Sequence, residues 1–249
     1  MTCIVLAAGY ATRLYPLTKD FPKPLLPIKG KTVLDWLVDD VVETCGLSRL
    51  VVVSNHAYAS HFEAWSASKG LSIPVDVLDD GTTSNETRLG AVKDIHFAIE
   101  SLGLDDDLLV IAGDNVLEFS LGLFADYFKV CGTSCIMRYR FERKEGRCSF
   151  GVCLCDEDGL VLDMEEKPLV PKSDWAVPPF YIYRKADIGL VSAAIDSGCN
   201  VDAPGSFVQW VCSRTRVHAF EMPGRRFDIG TIESYEKVNR DYQGIVISG

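Results

Sequence analysis

The chain has 249 residues, is 47% hydrophobic and 24% charged, and carries a formal charge of -10. It is long enough for one substantial core in a soluble globular protein. That acidity excludes nucleic-acid binding by general electrostatics, which needs a broad basic surface, and an anionic small ligand would need a local cluster of Lys, Arg or metal ions. No run is long and apolar enough to span a bilayer, and the first apolar run has neither a basic leader nor a small-residue cleavage site. A cytoplasmic protein with neither nucleic-acid nor membrane partners is expected; a small-molecule ligand and a homo-oligomer stay open.

Residues 2–7 form a short apolar run, read as a core strand. Leu34, Leu37, Val38, Val41 and Val42 then recur at helical spacing. Strands over 50–54 and 75–78 flank a helix over 61–67. A helix over 89–102, a buried strand over 108–112, a helix over 121–130 and a strand over 134–138 continue the alternation. Strands alternating with helices imply an α/β fold with a doubly covered, mostly parallel sheet in a single domain. From Gly151 the segments shorten, with strands over 151–155, 161–164 and 180–183 that extend or insert into the same sheet. A helix over 188–195, an apolar stretch around 207–211, a strand over 217–222 and a helix over 232–242 complete the chain.

The nine cysteines are scattered and odd in number, with no C-x-x-C pair. Reduced thiols and no zinc site are expected, with Cys153 and Cys155 directed to opposite faces of their strand. His56, His61, His96 and His218 share no spacing and read as structural.

Ligands of an open parallel sheet gather beyond the carboxyl ends of its strands. There stands Leu6-Ala7-Ala8-Gly9-Tyr10-Ala11-Thr12-Arg13, small residues that let backbone N–H groups approach a phosphate and a guanidinium to chelate it. Simple tight packing is the competing reading. The run continues through Leu14 to Pro27, where four prolines hold Lys23 on a stiff loop. Asp114, in Ala112-Gly113-Asp114-Asn115, and Asp228, in Phe227-Asp228-Ile229-Gly230-Thr231, are each either an oxygen ligand for a hard cation or part of a helix-entry turn.

At these residues the chain resembles the sugar-phosphate nucleotidyltransferases, the nucleoside-diphosphate-sugar pyrophosphorylases, and within them the glucose-1-phosphate thymidylyltransferase and uridylyltransferase group. That family opens with L-A-G/A-G-x-G-T-R-L-x-P-L-T followed by a lysine in K-P-L/M-x-P. The departure is Ala11, where the family has glycine; its methyl is expected to shift the triphosphate or select another loop conformation. The resemblance implies a Rossmann-like, doubly wound mixed sheet of the GT-A-like type, with residues 1–115 as the nucleotide-binding half and 116–249 as the acceptor-binding half.

It also implies the site. Leu6, Ala7, Ala8, Gly9, Thr12, Arg13, Lys23 and Asp114 would bind nucleotide, and Asp114 with Asp228 would hold Mg²⁺. Glu165-Glu166-Lys167-Pro168 resembles the family's E-K-P segment, with Glu166 on sugar hydroxyls and Lys167 on the sugar phosphate. Ser149-Phe150-Gly151-Val152 resembles its Y-G-V strand, and Asp202 falls on a further acceptor-side loop. In the polar loop over 79–90, Asn85 would read a pyrimidine edge and Gly90 give close backbone approach, or Ser84 and Asn85 would cap the next helix.

The implied reaction is an in-line displacement: an oxygen of the acceptor phosphate attacks the α-phosphorus of a pyrimidine nucleoside triphosphate, dTTP or UTP, and pyrophosphate leaves. Arg13, Lys23 and Lys167 neutralise charge. Two alternatives stand beside it. One is a cytidylyltransferase for phosphocholine or another non-sugar phosphate, with Trp175, Phe180, Tyr181 and Trp210 available for a cage. The other is a non-catalytic nucleotide-sugar-binding regulatory subunit.

Overall fold

A computed structural model describes residues 1–142 and 148–247. In chain order its strands and helices are β1 (Thr2–Leu6), β2 (Pro27–Ile28), β3 (Lys31–Thr32), α1 (Val33–Thr44), β4 (Arg49–Ser54), α2 (Ala59–Lys69), β5 (Val75–Asp79) and α3 (Ala91–Leu102). There follow β6 (Leu108–Ala112), β7 (Asn115–Leu117), α4 (Gly122–Cys131), β8 (Ser134–Arg140), β9 (Gly151–Cys155), β10 (Val161–Glu165), β11 (Trp175–Val177) and β12 (Phe180–Tyr183). The last are α5 (Lys185–Ile188), α6 (Leu190–Asp196), α7 (Gly205–Val211), β13 (Val217–Glu221), β14 (Arg226–Asp228) and α8 (Ile232–Asp241). This is the α/β architecture expected from the alternation. The short pieces β2, β3, β7, β11 and β14 carry too few residues for any periodicity to announce them.

Contacts cluster into two compact units, the first Met1–Arg88, Ala112–Leu123 and Pro223–Gly249, the second Leu89–Ile111 and Phe124–Met222. The units interleave along the chain.

In the first unit β1, β4 and β5 pair in parallel, with Ile4 opposite Val51 and Val52 opposite Val77. Continuous apolar runs suit strands covered on both faces: Cys3, Ile4, Val5, Leu50, Val51, Val52 and Val53 are wholly buried. Helix α1 starts at a capping box, in which the Thr32 hydroxyl accepts from the Asp35 amide and the Asp35 carboxylate from the Thr32 amide, each at 3.0 Å. It buries Leu34, Leu37, Val38 and Val41. The buried Asp40 accepts from the Ser120 hydroxyl at 2.6 Å and the Leu121 amide at 2.7 Å, which ties the segment after β7 to α1. Strand β7 pairs antiparallel with β14, placing Asn115 opposite Asp228. The Tyr242 hydroxyl donates to the Leu117 carbonyl at 2.7 Å. Leu14, Ile28, Val33, Val116, Ile229, Val238 and Tyr242 form one core under this ladder.

In the second unit the antiparallel order is β10-β9-β11-β8-β12-β6, and β13 runs parallel to β8. The short strands after Gly151 therefore extend the sheet that contains β8, one of the two arrangements expected. Cys153 and Cys155 correct an expectation: their Sγ atoms lie 3.7 Å apart. Residues two apart on a strand share a face, so they could not diverge.

Ala11 sits at φ 46°, ψ 40°, in the left-handed region. A side chain there costs about 1–2 kcal/mol, which is why glycine suits the position. Ala11 thus occupies a conformation that glycine adopts without strain. Ala11→Gly should stabilise the protein by about 1 kcal/mol, raising the melting temperature by about 2–4 °C. A lowered melting temperature would contradict the left-handed assignment.

Candidate functional site

The first unit gathers four of the expected residues. Beyond β1, the Ala7 amide donates to the Val53 carbonyl and the Leu6 carbonyl accepts from the Gly113 amide. These groups of Leu6 and Ala7 are spent on the sheet, and exposed polar backbone begins further on. Ala8 is buried and its carbonyl accepts from Asn55 Nδ2 at 3.0 Å. Gly9 is exposed, with open space where a Cβ would stand. The Thr18 hydroxyl and the Leu14 amide both donate to the Ala11 carbonyl at 2.9 Å, while the Tyr58 hydroxyl holds the Thr18 carbonyl. This clamps the turn from which Thr12 and Arg13 project into solvent.

Lys23 lies in a 3-10 turn after Pro22 and before Pro24 and is only 7% exposed. Its Nζ is 2.7 Å from Asp114 Oδ2 and 4.0 Å from Asp228 Oδ1. A buried ammonium must be paired, and the β7–β14 ladder brings it two carboxylates. Both aspartates are free of helix-capping duty. Asp114 runs into β7, and the cap of α8 is Thr231, whose hydroxyl accepts from the Ser234 amide at 3.2 Å. The helix-entry alternative therefore fails for each. A methyl built on Gly230 would stand 3.8 Å from both Arg13 Nη2 and Asp228 Oδ2, so Arg13 and Asp228 border the same space beside Gly230.

Two residues that sequence reasoning missed complete it. Asn115, 1% exposed, donates through Nδ2 to Asp114 Oδ1 at 2.7 Å and accepts from Arg226 Nη1 at 2.5 Å. Oδ1 of Asp114 is thereby fixed while Oδ2 faces Lys23. The signal available was adjacency: Asn115 closes one motif beside Asp114 and Arg226 precedes the other.

The fit to Mg²⁺ rests on donor chemistry. Among the described residues no three His, Cys, Asp or Glu side chains gather as a metal cage. Two carboxylates, half-open at side-chain exposures of 35% and 52%, are the oxygen-only partial set with which Mg²⁺ is held when substrate phosphates and water supply the rest.

The loop between β5 and α3 departs from expectation. Its first half is pinned within the first unit: the Tyr10 hydroxyl and the His56 amide donate to the Thr82 carbonyl at 2.9 Å, and His56 Nδ1 lies 2.6 Å from the Asp79 carboxylate. Asn85 is exposed, and its side-chain oxygen accepts from Arg88 Nη1 at 3.1 Å. Neither Ser84 nor Asn85 caps α3, because the helix begins at Ala91 with Gly90 as its N-cap. Gly90 has φ 93°, and a Cβ there would stand 2.5 Å from the Val201 carbonyl oxygen. The close backbone approach expected at Gly90 is made to residues 201–202.

The second unit holds the residues expected on the acceptor side. Side chains at Gly151 and Gly205 would each collide with Met164 and with the Glu166 carboxylate, so two glycines open the space that Glu166 fills. The Glu166 amide donates to Gln209 Oε1 at 3.0 Å, a fixing contact the sequence did not reveal. Lys167 has φ 51°, and its amide donates to the Phe150 carbonyl. Left-handed non-glycine backbone of this kind, costing about 1–3 kcal/mol, concentrates at functional sites. Asp202 is exposed on the loop that meets Gly90.

Burial raises the Glu166 carboxyl above its ordinary range; Lys167 opposes this and Asp202 adds to it. A carboxyl raised in the fold contributes stability at low pH that is lost as pH rises through the folded value. Glu166→Gln, neutral throughout, should therefore melt higher than the parent near about pH 8, the gap closing toward about pH 4. An equal or lower melting temperature at the higher pH would contradict a desolvated carboxylate.

Comparison with known proteins gives the family and the fold. The family model described as Nucleotidyl transferase matches residues 2–244. A UTP–glucose-1-phosphate uridylyltransferase of Haloferax volcanii is 24% identical over 263 residues, covering 98% of this chain and 97% of its own. A glucose-1-phosphate adenylyltransferase of Thermotoga neapolitana is 26% identical over 254 residues, covering 96% of this chain. The chain spans 60% of that relative's length, and 62% and 60% of two others. The solved structure of a UDP-glucose pyrophosphorylase complexed with UDP-glucose has the same fold, with a TM-score of 0.80 at 22% identity over 97% of both chains. No helix among the described residues is long and apolar enough to cross a membrane.

Proposed function

Because the chain belongs to the nucleotidyl transferase family, we propose that it transfers a nucleoside monophosphate from a pyrimidine nucleoside triphosphate, UTP or dTTP, to a sugar-1-phosphate and releases pyrophosphate. The observation that carries the reading is Lys23 held against Asp114 and Asp228 with Arg13 alongside. Cations and carboxylates at one place are what binding and activating a metal triphosphate requires. The acceptor class is supported by relatives named for glucose-1-phosphate. Those relatives differ in base, adenylyl against uridylyl, and the pyrimidine follows the uridylyltransferase that matches over nearly its whole length.

An oxygen of the acceptor phosphate, already ionised at neutral pH, attacks the α-phosphorus in line with the departing pyrophosphate. No general base is needed. Arg13 binds the β- and γ-phosphates, Lys23 balances charge at the α-phosphate, and Lys167 holds the attacking phosphate while Glu166 accepts from sugar hydroxyls. Asp114 and Asp228 would hold Mg²⁺, which when bound neutralises the phosphate charge.

The phosphocholine reading gains no support from the available aromatics. Arg138 and Arg140 lie 4.2 and 4.3 Å from the Trp175 ring, and Arg214 lies 3.7 Å from that of Trp210. Phe180 and Tyr181 are buried in β12. A cationic ligand would have to displace a guanidinium. The regulatory reading predicts lost charged groups, whereas Arg13, Lys23, Asp114, Lys167 and Asp228 are all retained.

The test is pyrophosphate release over a matrix of nucleoside triphosphates against sugar-1-phosphates, phosphocholine and glycerol-3-phosphate, with and without Mg²⁺. Turnover is expected with UTP or dTTP and a sugar-1-phosphate, and only with the metal. Lys23→Ala should lower turnover by about two to three powers of ten. Release with phosphocholine alone would overturn the acceptor, and no release from any pair would overturn the enzyme reading.

A further inference from the structure

Away from the residues assigned above, the second unit sets a thiol pair against a guanidinium. Cys153 and Cys155 share one face of β9, their Sγ atoms 3.7 Å apart. Cys153 is wholly buried, whereas Cys155 reaches the surface in part. Arg138 of β8 stacks on Trp175 and its charge acts on Cys155, while its buried Nε has no hydrogen-bond partner. The Cys153 contact and the Arg138 charge lower the Cys155 thiol to about 7, against burial and the repulsion of Asp156. The same contact and burial push the Cys153 thiol up. The more acidic and more exposed thiol thus has a less acidic, buried one in reach, and the thiolate is the reactive form.

We propose that Cys155 is a nucleophile toward small hydroperoxides and that Cys153 is its resolving partner, making the pair an oxidative modification site. The Cys155 thiolate attacks one peroxide oxygen and the O–O bond breaks. The departing oxygen takes a proton from solvent, leaving as water or an alcohol, and Cys155 becomes a sulfenic acid. Cys153 then gives up its proton and attacks Cys155 Sγ; the S–O bond breaks and hydroxide leaves with that proton as water. The hydroperoxide gains two electrons, and the two thiols lose them in forming one S–S bond. Cα atoms two apart on a strand lie about 6.6–6.8 Å apart, at the long end of the disulfide range, so the bond draws β9 together. The facing strand is already irregular there, its register shifting between Val161 and Asp163.

The experiment is a brief exposure of the reduced, intact protein to hydrogen peroxide, followed by alkylation and peptide mass spectrometry. The peptide with Cys153 and Cys155 should lose two hydrogens before any other cysteine is oxidised. Cys153→Ser should stop the reaction at a Cys155 sulfenic acid that dimedone traps. In the untreated protein, the rate of Cys155 alkylation should rise with a midpoint near pH 7, and Arg138→Gln should move that midpoint upward. Oxidation of Cys199 or Cys212, both also partly exposed, as fast as Cys155 in the wild-type protein would overturn the proposal, whatever the variants do. So would a Cys153→Ser protein that folds and yields no dimedone adduct.

Discussion

A lysine ammonium is held between two aspartates, and much of the first unit exists to keep it there. Lys23 is almost fully buried and pairs with Asp114 at 2.7 Å. An uncompensated charge in that place would cost several kcal/mol. The compensation depends on β7 meeting β14 in one register. That register depends in turn on the core beneath it, on Asp40 anchoring residues 120–121, and on Tyr242 holding Leu117. The prolines on either side of Lys23 fix the loop's own contribution before folding, so little further ordering is lost when the pair forms.

The second unit solves a different problem, that of holding a carboxylate where water is scarce. Gly151 and Gly205 leave room for Glu166, and Gln209 fixes its backbone. The raised carboxyl and the left-handed Lys167 are both unfavourable for the isolated fold. If, as proposed, Glu166 meets sugar hydroxyls and Lys167 a phosphate, that cost would be recovered only with ligand bound, and stability and function would pull in opposite directions here.

Much of this was legible in the sequence. Long elements announced themselves by period, and β6, β9 and β12 match their expected bounds. The motif around Lys23, and Asp114 with Asp228, pointed to phosphate chemistry before any geometry was known. What stayed hidden is what depends on long-range pairing. Asn115 and Arg226 lie 111 positions apart, and only the three-residue strands β7 and β14 bring them together. Gly90 was legible as a site of close approach, but its neighbour, Val201, is more than a hundred residues away. The thiols of Cys153 and Cys155 were assigned to opposite faces although strand period two places them together. The sequence leaves Asn85 as a base reader or a helix cap; the cap falls to Gly90, and the Asn85 side-chain oxygen accepts from Arg88 three residues on.

The central claim is that Asp114 and Asp228, balanced by Lys23, handle a metal-bound triphosphate. Its most direct test is Mn²⁺ binding followed by electron paramagnetic resonance, with Mn²⁺ standing in for Mg²⁺, in the presence of each common nucleoside triphosphate. The parent protein should bind a manganese–nucleotide complex, and the Asp114→Asn, Asp228→Asn double variant should lose that binding while keeping its circular dichroism spectrum. Unchanged affinity in a folded double variant would contradict the account.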